Sequence, residues 1–148
     1  MIDLQAAICL EQMKKLPKNL EWRRHVQKRY NEELGDVIQA PPHSETVQYY
    51  CAKVDPEVRD DLIDYLADKK IHTSVHFKPL HLYNVVKDMN QRDYPVANVE
   101  WKKLISLPCH PGMNDEDIDY VVYWVLQYFK DNAPQPVEVE KPWWRFWE

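Results

Sequence analysis

The chain has 148 residues, of which 45% are hydrophobic and 29% are charged, and its formal net charge is −5. This length fits one domain with a buried core but is short for a two-lobed enzyme, and the acidic balance gives no electrostatic support for nucleic-acid binding. No apolar run approaches the about 20 residues of a membrane span, and we expect no secretory signal peptide because the chain starts on an amphipathic pattern.

The few glycines and cysteines exclude some kinds of binding site and indicate the redox compartment. Gly35 and Gly112 are the only glycines of the sequence, which argues against a P-loop or a dinucleotide-binding fingerprint. Cys9, Cys51 and Cys109 are widely spaced and form no CxxC pair. Free thiols in a reducing compartment fit this pattern best. We therefore predict a cytoplasmic protein.

The N-terminal part of the chain predicts two helices. Apolar residues recur at helical spacing from Ile2 to Leu16, and Pro17 is expected to end this first helix. Asn19 can cap a second helix, which Gly35 is expected to stop. The predicted inward face of the second helix consists of Trp22, Val26, Tyr30 and Leu34.

The middle of the chain predicts strands around one helix. Asp55 and Pro56 form a good N-cap and first-turn pair, which opens a helix that runs to Lys70. Its predicted inward face consists of Val58, Leu62, Tyr65 and Leu66. Turn-forming prolines separate the first two strand-like segments, and the third follows the helix. The three predicted strands cover residues 37–40, 46–54 and 71–77.

The C-terminal part again predicts helices. Residues 80–92 are expected to form short helix and loop, and residues 96–107 a helix that Pro108 closes. Asn114 caps the last helix, whose acidic first turn the helix dipole favours. The first turn holds Asp115, Glu116 and Asp117, and the inward face holds Ile118, Val121, Val122, Val125 and Phe129.

These elements predict an α+β domain over residues 1–132, with a small antiparallel sheet of about three strands and helices packed mainly on one face. Residues 133–148 form a separate tail that is rich in proline and aromatic residues. We expect the tail's aromatic cluster to pack back onto the domain. Docking on a partner or a second copy is one alternative, and a membrane-surface anchor, disfavoured by three glutamates, is another. The tail's aromatic residues are Trp143, Trp144, Phe146 and Trp147, and its glutamates are Glu138, Glu140 and Glu148.

Residues 76–81 (HFKPLH) are the main candidate site. His76, Lys78 and His81 place two imidazoles and an amine directly after the third predicted strand. These groups can donate hydrogen bonds to a phosphate or a carboxylate if the chain turns at Lys78 and Pro79. The alternative is a strand end whose polar side chains meet solvent.

The histidines and cysteines do not predict a metal site or a nucleophile. His72 and His76 share a strand face but lie about 13 Å apart, too far to bind one ion. His76 with His81, assisted by Cys109 or His110, remains geometrically feasible, but no standard ligand spacing is met. Cys109 and His110 are neighbours that point in opposite directions in an extended chain, so we expect no Cys–His nucleophile.

Five short segments, taken in order, are more specific than any one of them alone. They are residues 2–12 (IDLQAAICLEQ), 76–82 (HFKPLHL), 93–97 (DYPVA), 107–111 (LPCHP) and 114–118 (NDEDI). The set resembles the DIQAAxxxxQ, HYxPLHL, LPxAE and LPLHP segments and the final helix of the DegT/DnrJ/EryC1/StrS family of sugar aminotransferases. The resemblance covers roughly residues 2–132.

This resemblance implies pyridoxal phosphate chemistry on nucleotide-linked keto-sugars for whole family members. Those members have a large cofactor-binding domain followed by a small C-terminal domain, and this chain resembles only the small domain. The Schiff-base lysine and the acidic partner of the cofactor ring lie in the large domain, and no segment here matches either of them. We therefore expect that this chain alone binds no cofactor and does not catalyse transamination.

The resemblance also gives the candidate site a role. His76 and Phe77 occupy the positions of the family's His-Tyr pair, on the substrate side of the active site, although Phe77 lacks the tyrosine hydroxyl. His76, Phe77, Lys78 and His81 are thus candidates for half of a nucleotide-sugar site. For an isolated domain the solvent-facing alternative is favoured, because half a site loses the preorganisation that binding needs.

Two classes of function stay open. One is an enzyme fragment or subunit that completes a split aminotransferase when a large domain joins it. The other is a non-catalytic binding or assembly module, expected to form a homodimer. Both leave the apolar surface of the first predicted helix to be covered by a partner, by a second copy or by the tail.

Overall fold

The computed structural model describes residues 2–42, 47–87 and 94–132. Its elements are helices and two short strands, joined by turns. In chain order they are α1 (Asp3–Leu34), β1 (Tyr50–Lys53), α2 (Pro56–Asp68), α3 (Asn84–Lys87), α4 (Pro95–Glu100), β2 (Leu104–Leu107) and α5 (Asp115–Asp131), with 3₁₀ turns at Leu80–Leu82 and Trp101–Lys103.

Helix α1 runs through Pro17 without a break, so the prediction of two helices divided there is wrong. A proline inside a helix costs about 3 kcal/mol because it removes one N–H and crowds the preceding turn. Only the carbonyl of Met13 loses its usual donor, and the backbone bonds on either side still hold the helix. The predicted end is confirmed, since α1 stops directly before Gly35.

The two strands form an antiparallel sheet in which Tyr50 lies opposite Leu107 and Lys53 opposite Leu104. Strand β1 falls inside the predicted strand at residues 46–54. Strand β2, however, replaces the last four residues of the helix predicted over residues 96–107. Its four residues (LISL) are a short, mostly apolar run that periodicity alone cannot assign, and pairing with β1 decides its conformation.

The described residues contain two strands rather than the expected three. The predicted strands at 37–40 and 71–77 are each reduced to one bridge, Gln39 with Lys53 and Ser74 with Ser106. Two prolines without N–H donors directly follow the first of these segments, and the second is interrupted by a turn at residues 76–77. The bridges flank the sheet on both sides, so residue 74 brings the candidate motif to the edge of β2.

The caps of α2 and α5 form as predicted. Asp55 accepts a hydrogen bond from the backbone of the first turn of α2. Asn114 accepts one from the N–H of Asp117 at 2.8 Å, and the Asp117 carboxylate accepts one from the N–H of Asn114 at 2.9 Å. This reciprocal pair fixes the start of α5.

Helix α5 packs against α1 and α2, and α2 packs against β2, which encloses one core. The helix faces predicted from periodicity supply much of it, which confirms the helix-rich α+β class. The predicted inward residues that are buried are Val26, Tyr30, Leu34, Leu62, Leu66, Ile118, Val121, Val122 and Val125, and Trp22, Val58, Tyr65 and Phe129 are partly buried against them.

The core covers only the C-terminal half of α1. Among residues 2–18, every side chain is exposed except that of Ala6, which is half-buried. The exposed set includes large apolar side chains, so this half of the helix has no packing partner among the described residues. Its exposed hydrophobic residues are Ile2, Leu4, Ile8, Leu10, Met13 and Leu16.

Two further predictions concern the C-terminal tail and membrane spans. The prediction for the aromatic tail falls on residues 133–148, which lie outside the described residues. Within the described ranges, no helix is both long and apolar enough to cross a membrane.

Candidate functional site

The imidazole of His76 is held on two sides at the edge of the sheet. Its Nδ1 lies 2.9 Å from the hydroxyl oxygen of Ser106 on β2. Its ring stacks on Tyr49, with centroids 4.0 Å apart and planes inclined by 21°. Bridging of Ser74 to Ser106 brings the chain into position two residues earlier. The ring orientation is therefore set by the sheet rather than by solvent.

The bond to Ser106 has a physical cause and a consequence. The serine is only 4% exposed, and a buried hydroxyl requires a hydrogen-bond partner. With Nδ1 of His76 engaged, the second ring nitrogen, Nε2, has no hydrogen-bond partner among the described residues. This nitrogen is the free polar atom that the arrangement offers to a ligand.

Phe77 stands beside this imidazole with 67% of its surface exposed. The two rings meet edge to face, with centroids 4.8 Å apart. The peptide bond that joins His76 to Phe77 is cis. An apolar ring and a free imidazole nitrogen thus share one exposed edge of the domain.

The amine of Lys78 lies above aromatic rings. Its Nζ is 5.6 Å from the ring centre of Tyr83 and 5.9 Å from that of Trp101. The guanidinium carbon of Arg59 is 5.4 Å from the same Trp101 ring. Two cations therefore gather around one indole, which is a favourable arrangement for both and keeps positive charge near the motif.

His81 is held by a different part of the domain. Its Nε2 lies 2.6 Å from Oδ1 of Asn98 on α4, and its ring tilts against Tyr94 at a centroid distance of 4.7 Å. The structure therefore gives His76 and His81 separate partners. The sequence motif forms an edge with two anchored imidazoles, and the described contacts do not join them in one cluster.

An ion triad holds α4 in place. The carboxylate of Glu100 accepts hydrogen bonds from Lys53 at 2.5 Å and from Lys103 at 2.9 Å. Partial burial by itself raises the pKa of Glu100, but the bonds from the two lysines outweigh it, and the net pKa is lowered. The triad links β1, α4 and the turn before β2, and so fixes the element that carries Asn98.

The segment after β2 is tied to α1. The hydroxyl of Tyr30, which is fully buried, donates to the carbonyl of Pro108 at 3.0 Å. Burial raises the pKa of Tyr30 far above its ordinary value. The side chain therefore remains a neutral donor throughout the neutral range, and it fixes residues 107–111 against the helix.

The remaining nucleophile and metal candidates do not form a site. Cys109 is buried, its thiol contacts the carbonyl of Arg23 at 3.9 Å, and burial raises its pKa to about 11. A thiol with this pKa is almost wholly protonated at neutral pH and is a weak nucleophile. In the three described ranges, no group of three or more His, Cys, Asp or Glu residues could hold a metal ion.

Two residues of the site were not predicted from the sequence. Ser106 falls in the region wrongly predicted as helix, and Tyr49 lies inside the strand predicted over residues 46–54, with no chemical motif around it. Both contact His76 across long sequence separations. Only the pairing of β1 with β2 brings them together, and no local pattern reports that pairing.

Comparison with known proteins gives one consistent result. The sequence model of the DegT/DnrJ/EryC1/StrS aminotransferase family matches residues 1–126. The spore coat polysaccharide biosynthesis protein SpsC of Bacillus subtilis is 32% identical over 144 residues, which are 88% of this chain and 37% of that protein. The dTDP-4-dehydro-2,3,6-trideoxy-D-glucose 4-aminotransferase of Saccharopolyspora spinosa is 28% identical over 123 residues, which are 78% of this chain and 31% of that enzyme.

A solved structure agrees with the sequence comparisons. NtdA from Bacillus subtilis, with the bound cofactor PMP, superposes on this chain with a TM-score of 0.78 and 27% identity. The match covers 88% of this chain and 33% of that structure. The chain thus spans about a third of the length of the relatives it matches.

The partly buried lysines of the described residues do not fit that cofactor's aldehyde form, pyridoxal phosphate, which needs a lysine amine held against the ring. Three lysines of the described part have partly buried side chains. Lys53 and Lys103 both bind the carboxylate of Glu100, and the amine of Lys69 lies over the rings of Tyr65 and Trp124. None of these three amines is presented to an open cradle.

Proposed function

Because the chain belongs to the DegT/DnrJ/EryC1/StrS aminotransferase family, we propose that it is the C-terminal small domain of a nucleotide-sugar aminotransferase and is inactive by itself. The observation that carries the proposal is the match to about a third of each relative, and the contacts that engage the three partly buried lysine amines of the described residues support it. Residues 1–132 are the domain in this proposal and residues 133–148 a separate tail. The cofactor and its lysine come from a large domain.

The substrate-facing part of the proposed domain is the edge at residues 76–81. His76 offers Nε2 in an orientation that the sheet has already fixed, and Phe77 supplies an exposed apolar ring beside it. Lys78 adds an exposed amine that can pair with the diphosphate of a nucleotide sugar. His81, anchored to Asn98, keeps the far end of the segment in place. These four residues form half of a site that a cofactor domain completes.

Purified full chain tests this proposal directly. It is incubated with pyridoxal phosphate, an amino-acid donor and a dTDP-linked keto-sugar, and amino-sugar product is measured by mass spectrometry. No product is expected, and nucleotide-sugar binding to the chain alone should be millimolar or weaker, because half a site lacks preorganisation. Turnover by the purified chain would overturn the proposal.

A second candidate is a non-catalytic assembly module derived from the same domain. The specific observation in its favour is the exposed apolar face along the N-terminal half of α1. A large apolar surface on a folded domain marks an interaction site. In either role we place the protein in the cytoplasm, where its free cysteines would stay reduced.

A further inference from the structure

The N-terminal half of α1 carries a heptad pattern that the domain leaves uncovered. Two sets of residues, each repeating every seven positions, interleave at spacings of four and three, which is the pattern of a coiled-coil seam. Ile2 and Met13 are 63% and 65% exposed, and Leu16 is 49% exposed. We name this face the α1 stripe. Its two sets are Ile2, Cys9 and Leu16, and Ala6, Met13 and Leu20.

The α1 stripe continues the buried face of the same helix. The next positions of the two sets include Gln27, Tyr30 and Leu34, which are 6%, 0% and 0% exposed in the core. Arg23 marks the border, since its guanidinium donates to the backbone carbonyls of residues 47 and 48. One face of α1 is therefore covered by this domain after Arg23 and by nothing described before it.

We propose that a second copy of this chain covers the α1 stripe, with the two helices antiparallel. A two-fold axis beside Glu11 matches every member of the stripe with another member on the second copy. Each layer joins one residue of each heptad set, which is the layering of an antiparallel coiled coil. The layers are Ile2 with Leu20, Ala6 with Leu16, and Cys9 with Met13.

A groove lies where Ile2 of the second copy would arrive. In the proposed register, Ile2 of the second copy lies opposite Leu20 and therefore beside this groove. An apolar side chain that enters a groove at each end of the seam would help to fix the register of the pairing. The groove is lined by Leu16, Asn19, Leu20, Arg23, Val47 and Gln48.

The residues that flank the α1 stripe carry little charge, so they do not prevent two identical helices from packing together. The six flanking positions carry one charge, so like charges do not oppose each other across the seam. That charge, Asp3, lies on the flank that faces Leu10 and Pro17 of the second copy, because the two-fold axis pairs each flank with itself, so no like charge faces it. The flanking residues are Gln5, Gln12 and Asn19 on one side and Asp3, Leu10 and Pro17 on the other.

The size of the seam sets the expected affinity. From Ile2 to Leu20 it is about 27 Å long at 1.5 Å per residue. Two such helices bury on the order of 1,000 Å² in total, near the lower limit for a specific interface. We therefore expect a reversible dimer with a dissociation constant on the order of micromolar.

Sedimentation velocity of the full chain over a concentration series tests the pairing. The wild type should dimerise, and Met13→Glu should weaken the dimer at least about a hundredfold, because it places an unpaired carboxylate in an apolar seam. Leu4→Glu is the matched control, since Leu4 is 68% exposed on the opposite side of α1 and should leave dimerisation unchanged.

Cysteine cross-linking tests the register. Under oxidation, Met13→Cys should give interchain disulfides, because the new thiol faces Cys9 of the second copy, whereas the wild type should not cross-link through Cys9. A wild-type Cys9–Cys9 bridge would indicate parallel helices and overturn the proposal. The proposal would also be overturned if sedimentation showed a monomer at all concentrations, or if Met13→Glu and Leu4→Glu weakened the dimer equally. Dimerisation only after removal of residues 133–148 would overturn it as well. Sedimentation and cross-linking do not depend on catalysis, so this proposal and the proposed function can fail separately.

Discussion

Replacing Tyr30 with phenylalanine should separate the packing role of this residue from its hydrogen bond. The ring remains, so no cavity forms, but the carbonyl of Pro108 loses the donor that lies 3.0 Å away. A buried acceptor without its partner costs about 1–2 kcal/mol. Tyr30→Phe should therefore lower the free energy of unfolding at pH 7 by that amount, measured by urea denaturation followed by circular dichroism.

The same variant should change the response to alkaline pH. Because burial raises the pKa of Tyr30, its contribution is fully present below the unfolded-state pKa of about 10 and is lost as pH rises toward the folded-state pKa. At pH 10.5 the wild type should have lost about 0.8 kcal/mol through this group. Tyr30→Phe has no phenol at this position and cannot lose this contribution. The difference in unfolding free energy between wild type and variant should therefore narrow by about half.

Tyr123→Phe is the control for this experiment. Its side chain is 56% exposed, and the change should stay within about 0.5 kcal/mol at both pH values. Tyr50 and Cys109 are common to all three proteins, so their own raised pKa values cancel in the comparison. An equal stability of wild type and Tyr30→Phe at pH 7, or a gap that does not change at pH 10.5, would refute the reasoning.

Two further changes test the elements that frame the site. Asn114→Ala removes the cap that accepts from the N–H of Asp117 and should cost about 1 kcal/mol of unfolding free energy, checked by urea denaturation at pH 7; no loss would contradict the capping role. Glu100→Gln should cost about 1 kcal/mol at pH 7, because Lys53 and Lys103 lose a charged acceptor. Since the pKa of Glu100 is lowered, its contribution is present above about pH 4.5 and is lost on further acidification. The two proteins should thus converge in urea midpoints taken at pH 3, and a constant difference would show that the triad contributes nothing electrostatic.

The helix faces and caps could be predicted because both are local. The 3.6-residue period fixes which side of α5 is buried, and Asn114 with Asp117 satisfies backbone donors within one turn. The rule that a proline ends a helix failed at Pro17 because the rest of the helix outweighs this local effect. A single lost backbone bond is a small cost against the many that hold the two parts of a 32-residue helix together.

The sheet and the site could be predicted only in part, because pairing across the chain decides them. Residues 104–107 become a strand through contact with residues 50–53. The same pairing gives His76 its two long-range partners, Ser106 and Tyr49. The motif was visible as a set of residues, but its geometry depends on contacts that the motif does not contain.

The measurement that tests the account most directly is aminotransferase activity in a chimera. The matched part of the Saccharopolyspora spinosa enzyme is replaced by this chain, and amino-sugar formation is assayed on the substrate in that enzyme's name. We predict that the chimera is active, that the chain alone is not, and that His76→Ala in the chimera lowers kcat/KM at least about tenfold, whereas His72→Ala, at an exposed neighbouring histidine, does not. An inactive chimera, activity of the chain alone, or a chimera indifferent to His76→Ala would contradict the account.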